Sequence, residues 1–297
     1  GTADSLNTLF AFDLKGELLW KKVLGPAWMK TYPGIRNTAL ILDAKGYVFD
    51  GLGVMHCFSV VDGSILWKRN LLAETGAENS QHGVHENLII DGQKLLVTLG
   101  GKESNVLALD KDTGETIWVS KGLGQLNAYC SSTIIEHNGV KYYITMTFNS
   151  LLSIRLEDGE LAWSQELTEP KYGIHANTPL YKEGKLFIIE GYRYGSKMFQ
   201  LAENGLNAEL LWKMDSVDVQ MSDAVLINDD IFAASVIGKK WFCLDWNTGD
   251  VKFSTNKLRE GTMIAADEKL FIQTNGGEMA MVKVENNDFT VLGKFKV

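Results

Sequence analysis

Short apolar runs alternate with polar turn clusters along the whole chain, and the stretch Asn105 to Lys121, NVLALDKDTGETIWVSK, gives the clearest instance. Val106 to Leu109 are apolar, Thr116 to Val119 are β-branched or aromatic, and Asp110-Lys111-Asp112-Thr113-Gly114 between them carries turn chemistry. The pattern predicts a β-hairpin in which Gly114 supplies a positive φ. Trp118 follows that glycine by four residues. The spacing recurs as GELLW (16–20), GSILW (63–67) and GELAW (159–163), with Phe in GDVKF (249–253) and stretched in GLNAELLW (205–212). The aromatic anchors at 20, 67, 118, 163, 212 and 253 therefore lie 47, 51, 45, 49 and 41 residues apart.

A period near 45 residues marks a repeat of one β-rich unit. Between successive hairpins lie two more strand-like runs, as in SSTIIE (131–136), a His137-Asn138-Gly139 turn and KYYITMT (141–147). Four strands per period, joined as a meander, predict an all-β chain folded as a β-propeller of four-stranded antiparallel blades. Complete blades are expected at about 35–70, 86–120, 131–166, 175–214, 221–254 and 260–296, preceded by a C-D half blade at about 7–23. We expect one domain over residues 1–297, a fragment of a seven- or eight-bladed ring whose first blade is completed by residues outside this chain or by another molecule.

LALDKDTGETIW and CLDWNTGDVKF resemble the repeat of pyrroloquinoline-quinone (PQQ)-type propellers, A-x-D-x-x-T-G-x-x-x-W. That superfamily includes quinoprotein alcohol dehydrogenases and the propeller lipoprotein of the outer-membrane-protein assembly machine. The resemblance implies that Trp20, Trp67, Trp118, Trp163 and Trp212, with Phe253, are structural groups docking one blade onto the next. It also implies a periplasmic or otherwise exported location.

Hydrophobic residues at 45% and four prolines in 297 residues describe a chain with a sizeable packed core. A net charge of -8 without a Lys/Arg cluster argues against nucleic acid as a partner. No apolar run reaches the roughly 18–20 residues that span a bilayer, so no membrane insertion is expected. Cys57, Cys130 and Cys243 lie in three different repeats without a CxxC, which reads as buried single thiols.

An up-and-down blade sends its A-B and C-D turns to one end and its B-C loops and D-to-A crossovers to the other. The first set is terse; the second includes 25–37, 73–87, 121–132, 168–179, 215–223, 256–263 and 190–196, and any site is expected there. Arg36, His85, Tyr129, His175, Asn177 and Ser222 lie where crossovers lead into inner strands, and Gln81, Asn127, Tyr172, Tyr192, Arg193 and Arg259 can reach inward from the rim. Such a mouth suits a small polar ligand, a glycan or a peptide; the same groups also read as satisfying loop backbone and buried water.

His82 and His85 invite a metal reading, but Gly83 lies between them and no carboxylate that would orient either ring is evident, so no metal is expected. By resemblance a quinone dehydrogenase would need PQQ, calcium ligands and a pair of adjacent cysteines; the cysteines are absent, and Glu86 and Asp223 do not sit in a ligand cluster. No G-x-S-x-G, HExxH or Walker loop occurs. The reading is a non-catalytic exported propeller without catalytic residues or cofactor, binding a protein or carbohydrate partner; the alternative is a PQQ-type dehydrogenase with calcium, or a degenerate relative.

Overall fold

The computed structural model describes residues 2–168, 173–220 and 222–297. Its strands form six four-stranded antiparallel meanders preceded by a smaller sheet. The first sheet is the hairpin Leu6–Phe12 and Leu18–Pro26, with Thr2–Ala3 pairing Leu6 and Asn7. The second comprises Leu40–Leu42, Lys45–Phe49, Val54–Ser59 and Ile65–Asn70, and the third Ile89–Asp91, Lys94–Thr98, Val106–Asp110 and Thr116–Val119. Then follow Thr133–His137, Val140–Met146, Ser150–Arg155 and Leu161–Glu166, and next Leu180–Lys182, Lys185–Ile189, Ser196–Leu201 and Ala208–Met214. The sixth is Val225–Ile227, Asp230–Ser235, Lys240–Asp245 and Val251–Thr255, and the seventh Gly261–Ala266, Lys269–Thr274, Glu278–Glu285 and Asp288–Lys296. The smaller sheet thus comes first, with Thr2–Ala3 as a third strand beyond the expected hairpin, and the inner strands of the later sheets begin up to five residues later than expected.

Contacts divide the chain into two compact units, residues up to 134 with 141–161, and 135–140 with 162 onward. In the first unit the core lies between neighbouring sheets: Tyr47, Phe49 and Cys57 of the second sheet pack with Leu95, Val97 and Leu107 of the third. Leu96 and Ala108, on the opposite face of that third sheet, pack with Tyr143 and Leu152. Middle strands are therefore apolar on both faces, which is why they read as runs such as KLLVT rather than as alternation. The second unit repeats the arrangement around Phe187, Phe232, Trp241, Leu270 and Phe289.

The Gly-x-x-x-Trp spacing has a geometric cause. In the outer hairpins with an aromatic anchor whose register is described, the pairing slips by one residue just before that anchor: Ala108 pairs Trp118 but Leu109 pairs Thr116, leaving Ile117 bulged. The same slip sets Ala11 opposite Trp20, Cys57 opposite Trp67, Met198 opposite Trp212 and Cys243 opposite Phe253. A bulge bends and twists its strand, and the bulged residues Leu19, Leu66, Ile117 and Leu211 are exposed, at 44–64%. Cys57 and Cys243 occupy the register position that is alanine in the sisters at 11 and 108, so they act as small apolar fillers. All three cysteines are buried and outside any disulfide among the described residues, and burial pushes the Cys57 and Cys243 thiols up to about 11 and about 12.

Each turn aspartate organises its hairpin, as the sequence led us to expect. Asp110 Oδ1 accepts from the Asp112 and Thr113 amides, both at 2.9 Å, and Asp245 Oδ1 accepts from Asn247 and Thr248 at 2.8 and 3.0 Å. The turn glycine has a second duty, because a tryptophan from the preceding sheet lies on it. A β-carbon added at Gly63, Gly114, Gly159 or Gly249 would stand 2.5–2.8 Å from the ring of Trp20, Trp67, Trp118 or Trp212 respectively. Three of these indoles also donate Nε1 into the same neighbouring hairpin, Trp20 to Val60 O at 3.0 Å, Trp67 to Lys111 O at 3.1 Å and Trp118 to Leu156 O at 3.2 Å.

The crossovers hold two features absent from the sequence reading. A one-turn helix, Leu71–Thr75, is capped by the Asn70 side chain and ended by Gly76 at φ 67°. A two-residue ladder joins Gly100–Gly101 to Gln125–Leu126. Among the described residues no helix is long and apolar enough to cross a membrane.

Candidate functional site

In the first unit the expected rim residues come together around one guanidinium. Trp28, 5% exposed, roofs the 25–37 crossover by donating Nε1 to Thr31 O at 2.9 Å. The Gly51 backbone presses against the Trp28 β-carbon and the Gly83 backbone against Gly51 O and the indole, so that a β-carbon at either would clash. The crossover thereby presents Arg36, which donates to the carbonyls of Tyr32 at 2.8 Å, Gly83 at 3.1 Å, Thr31 at 3.3 Å and also His82. Its Nη2 lies 3.2 Å from His85 Nδ1. Burial, and secondarily the Arg36 charge, lowers the His85 pKa to about 4, so the ring is neutral at pH 7. Tyr129, at φ 68°, lies with its ring 4.7 Å from that of His85 and accepts from the His82 amide at 2.9 Å. Burial raises its pKa, and the hydroxyl stays protonated.

Asparagines hold the ends of the inner strands. Asn37 Nδ2 donates to Phe49 O, at the end of its own second strand, and to Glu86 O in the following crossover, both at 2.9 Å. Asn177 Nδ2 makes the equivalent bonds to Ile189 O at 3.3 Å and Val219 O at 3.2 Å. Asn127 donates to Thr98 O at 2.7 Å. Asn37 was missed; the signal was the Asn-Thr dipeptide at both 37–38 and 177–178.

Glu86, 1% exposed, accepts from Tyr143 OH at 2.9 Å and from the Thr98 amide at 3.0 Å. Burial raises its pKa to about 8, which makes it a neutral carboxylic acid at pH 7.

In the second unit His175, fully buried, has Nδ1 3.1 Å from Glu190 O. The Glu190 carboxylate pairs with Lys197 and accepts from the Thr168 amide at 2.8 Å. Asp223 Oδ1 accepts from the Thr178 amide at 2.6 Å, and Asp218 accepts from Ser235 Oγ at 2.9 Å. Tyr192 and Arg193 take φ of 49° and 77° at the tip of the 190–196 loop, closed by a Tyr194 amide bond to Gly191 O at 2.8 Å. Arg193 is exposed there, as are Gln81 and the 62% accessible Arg259 side chain. Ser222 is 8% exposed and lines a cavity. Tyr172 lies outside the described residues.

The expected rim residues thus divide into two kinds. Asn127, Tyr129, His175 and Asn177 are buried and spend polar atoms on the chain itself; Gln81, Arg193 and Arg259 face solvent, with Arg36, His85 and Tyr192 partly accessible. His82 and His85 do not converge on an ion: His82 Nδ1 lies 3.0 Å from Thr31 Oγ1, while His85 faces Arg36. The groups weighed above for PQQ with calcium lie apart from one another. The three cysteines are separate single thiols, and Glu86 and Asp223 are engaged as described. Among the described residues no three His, Cys, Asp or Glu side chains converge as an ion cage.

Comparison with known proteins supplies the class first. The solved structure of BamB from Moraxella catarrhalis superposes with a TM-score of 0.68, at 10% identity, over 98% of this chain and 80% of that one. A europium-containing methanol dehydrogenase superposes with 0.64, at 13% identity, over 98% and 75%. With the four-stranded meanders, this likeness makes the fold a β-propeller. The chain belongs to the family described as outer membrane protein assembly factor BamB, whose model matches residues 6–255. Among curated proteins it is 26% identical over 224 residues to the quinoprotein alcohol dehydrogenase PedH of Pseudomonas putida, covering 70% of this chain and 35% of that protein. It is 22% identical over 178 residues to outer membrane protein assembly factor BamB of Salmonella typhimurium, covering 59% and 40%. The chain spans less than half the length of the curated relatives it matches.

Proposed function

We propose that this chain is a non-catalytic, exported propeller that binds a protein partner in outer-membrane-protein assembly through the rim of its B-C loops and crossovers. The observation that carries the reading is the state of the buried acids. Asp50 holds His56 Nε2 at 3.1 Å and the Leu52 and Val54 amides; Glu86, Glu190 and Asp218 are engaged by their own neighbours. Carboxyl groups already satisfied by the chain position loops rather than hold a cofactor's calcium. Family membership over residues 6–255 supports the same reading. The docking role of Trp20, Trp67, Trp118, Trp163, Trp212 and Phe253 belongs to it too, because a rigid rim needs blades that do not slide. A glycan fits less well, since the Asn127 and Asn177 amide groups that would bind hydroxyls donate to carbonyls instead.

The second reading, a PQQ-type dehydrogenase, rests on the similarity to PedH and methanol dehydrogenase. Titration of the chain with PQQ and calcium, followed by calorimetry and the quinone absorbance, separates the two. We expect no saturable heat and no spectral change up to about 1 mM, which corresponds to binding weaker than roughly 4 kcal/mol. Saturable binding with turnover of an alcohol would reverse the assignment.

A further inference from the structure

One buried acid of the second unit stands apart from those just described. Glu260 is 6% exposed, and among the described residues its Oε1 meets the Arg259 Nε at 3.5 Å, from a side chain that is itself 62% in solvent. Such a long, wet pair adds little. Glu260 lines a cavity of about 350 Å³, within the range of about 300–1,000 Å³ typical of ligand pockets. Val219 and Val236 line it with apolar surface, while Gln220 and Asn275 add amides and Ser222 a hydroxyl. Among the described residues of that lining Glu260 is the lone ionisable one. Ser222 Oγ, in a residue more than nine-tenths buried, has no hydrogen-bond partner among the described residues.

The surrounding backbone is fixed. Trp241 Nε1 donates to Leu258 O and Arg259 O, both at 3.2 Å, and the Asn275 amide donates to Glu260 O at 2.8 Å. A β-carbon at Gly261 would stand 2.0 Å from Gln273 O, so that wall admits only glycine. A held cavity with one carboxylate, an unsatisfied hydroxyl and no cation in its lining is incomplete by itself.

We propose that this cavity seats a cationic side chain, a lysine ammonium or arginine guanidinium, presented by the protein partner; the proposal rests on the reading that the rim binds a protein. The incoming N–H groups give Glu260 a charge-assisted hydrogen bond and give Ser222 Oγ a donor, and Arg259 is released to water. The cation's alkyl stem lies against Val219 and Val236.

Small probes test the cavity without the partner. Nα-acetyl-arginine and Nα-acetyl-lysine methylamides are titrated into the 15N-labelled chain, with the neutral citrulline analogue and free spermidine as comparisons. We expect saturable amide shifts at Ser222, Gly261 and Asn275 with a Kd of about 1 mM, and binding of citrulline at least about 10-fold weaker. Glu260→Gln should weaken the arginine probe about 10-fold and Ser222→Ala about 3-fold, while Arg259→Ala, which removes the competing guanidinium, should tighten it about 2-fold. Ser222→Ala keeps the test open should Glu260→Gln fail to fold. Equal binding of citrulline, or no saturable shift in the wild-type chain, would overturn the assignment and leave the rim reading to its own experiment. Spermidine binding about 100-fold tighter than either amino-acid probe would overturn the partner side chain in favour of a free polyamine.

Discussion

His85 and Glu86 are neighbours in the chain with opposite responses to pH. The His85 pKa lies near 4 in the fold against an ordinary 6.5, so below 6.5 the unfolded chain takes up a proton that the folded chain refuses. Stability from this residue is present above 6.5 and is lost as pH falls towards 4. Glu86 lies near 8 against an ordinary 4.5, so the folded chain keeps a proton that the unfolded chain sheds. Its contribution is full below 4.5 and is lost as pH climbs through 8. Between 4.5 and 6.5 the two slopes oppose each other; from 6.5 to 8 Glu86 acts alone. Urea unfolding across that upper window should show the wild-type chain losing on the order of 2 kcal/mol while Glu86→Gln stays level. Parallel curves for the two would refute the buried neutral acid. The sequence set Arg36, His85 and Tyr129 near the entries of their crossovers, but not that they would be absorbed by one another and by loop carbonyls. Spacing tells where a crossover ends, whereas the direction of a guanidinium depends on Trp28 and Gly83, which the repeat pattern does not contain.

The repeating element is an outer hairpin whose tryptophan lies on the next hairpin's glycine. Trp118→Ala removes an 8% exposed indole and its bond to Leu156 O, and should cost about 3–5 kcal/mol. Gly159→Ala should cost about 1–3 kcal/mol, partly from φ 79° and partly from the 2.5 Å approach to that indole. Only the second part disappears when the ring is gone, so the double variant should fall short of additivity by about 1 kcal/mol. Ile117→Lys, one residue from Trp118 but bulged and 44% exposed, should lie within about 0.5 kcal/mol of wild type. Denaturant melts of the four chains check this, and full additivity would mean that the ring and the glycine do not meet. These hairpins were legible because glycine, aspartate and tryptophan are each demanded by local geometry. The inner strands were legible only to within a few residues, since Asn37 and Asn177 side chains take over pairing that backbone would otherwise supply. The Leu71–Thr75 helix left no trace in the reading because five residues show no helical period.

At the scale of the whole molecule, four-stranded meanders at a 45-residue period defined the fold from sequence, and the half blade at 7–23 appears as the small first sheet. The proposed function was less legible, for a physical reason: binding a protein would require placement of loop tips, not an activated group, and loop tips carry no spacing rule. The account therefore rests on which end of the blades does the work. A photo-crosslinking residue, benzoylphenylalanine, placed at Gln81 or Arg193 on the long-loop side and at Lys15 in a C-D turn, tests this in the cell of origin. The account predicts one discrete adduct with a protein of outer-membrane assembly from Gln81 and Arg193 and none from Lys15. Adducts from Lys15 alone, or none from either rim position with the protein folded and exported, would contradict it.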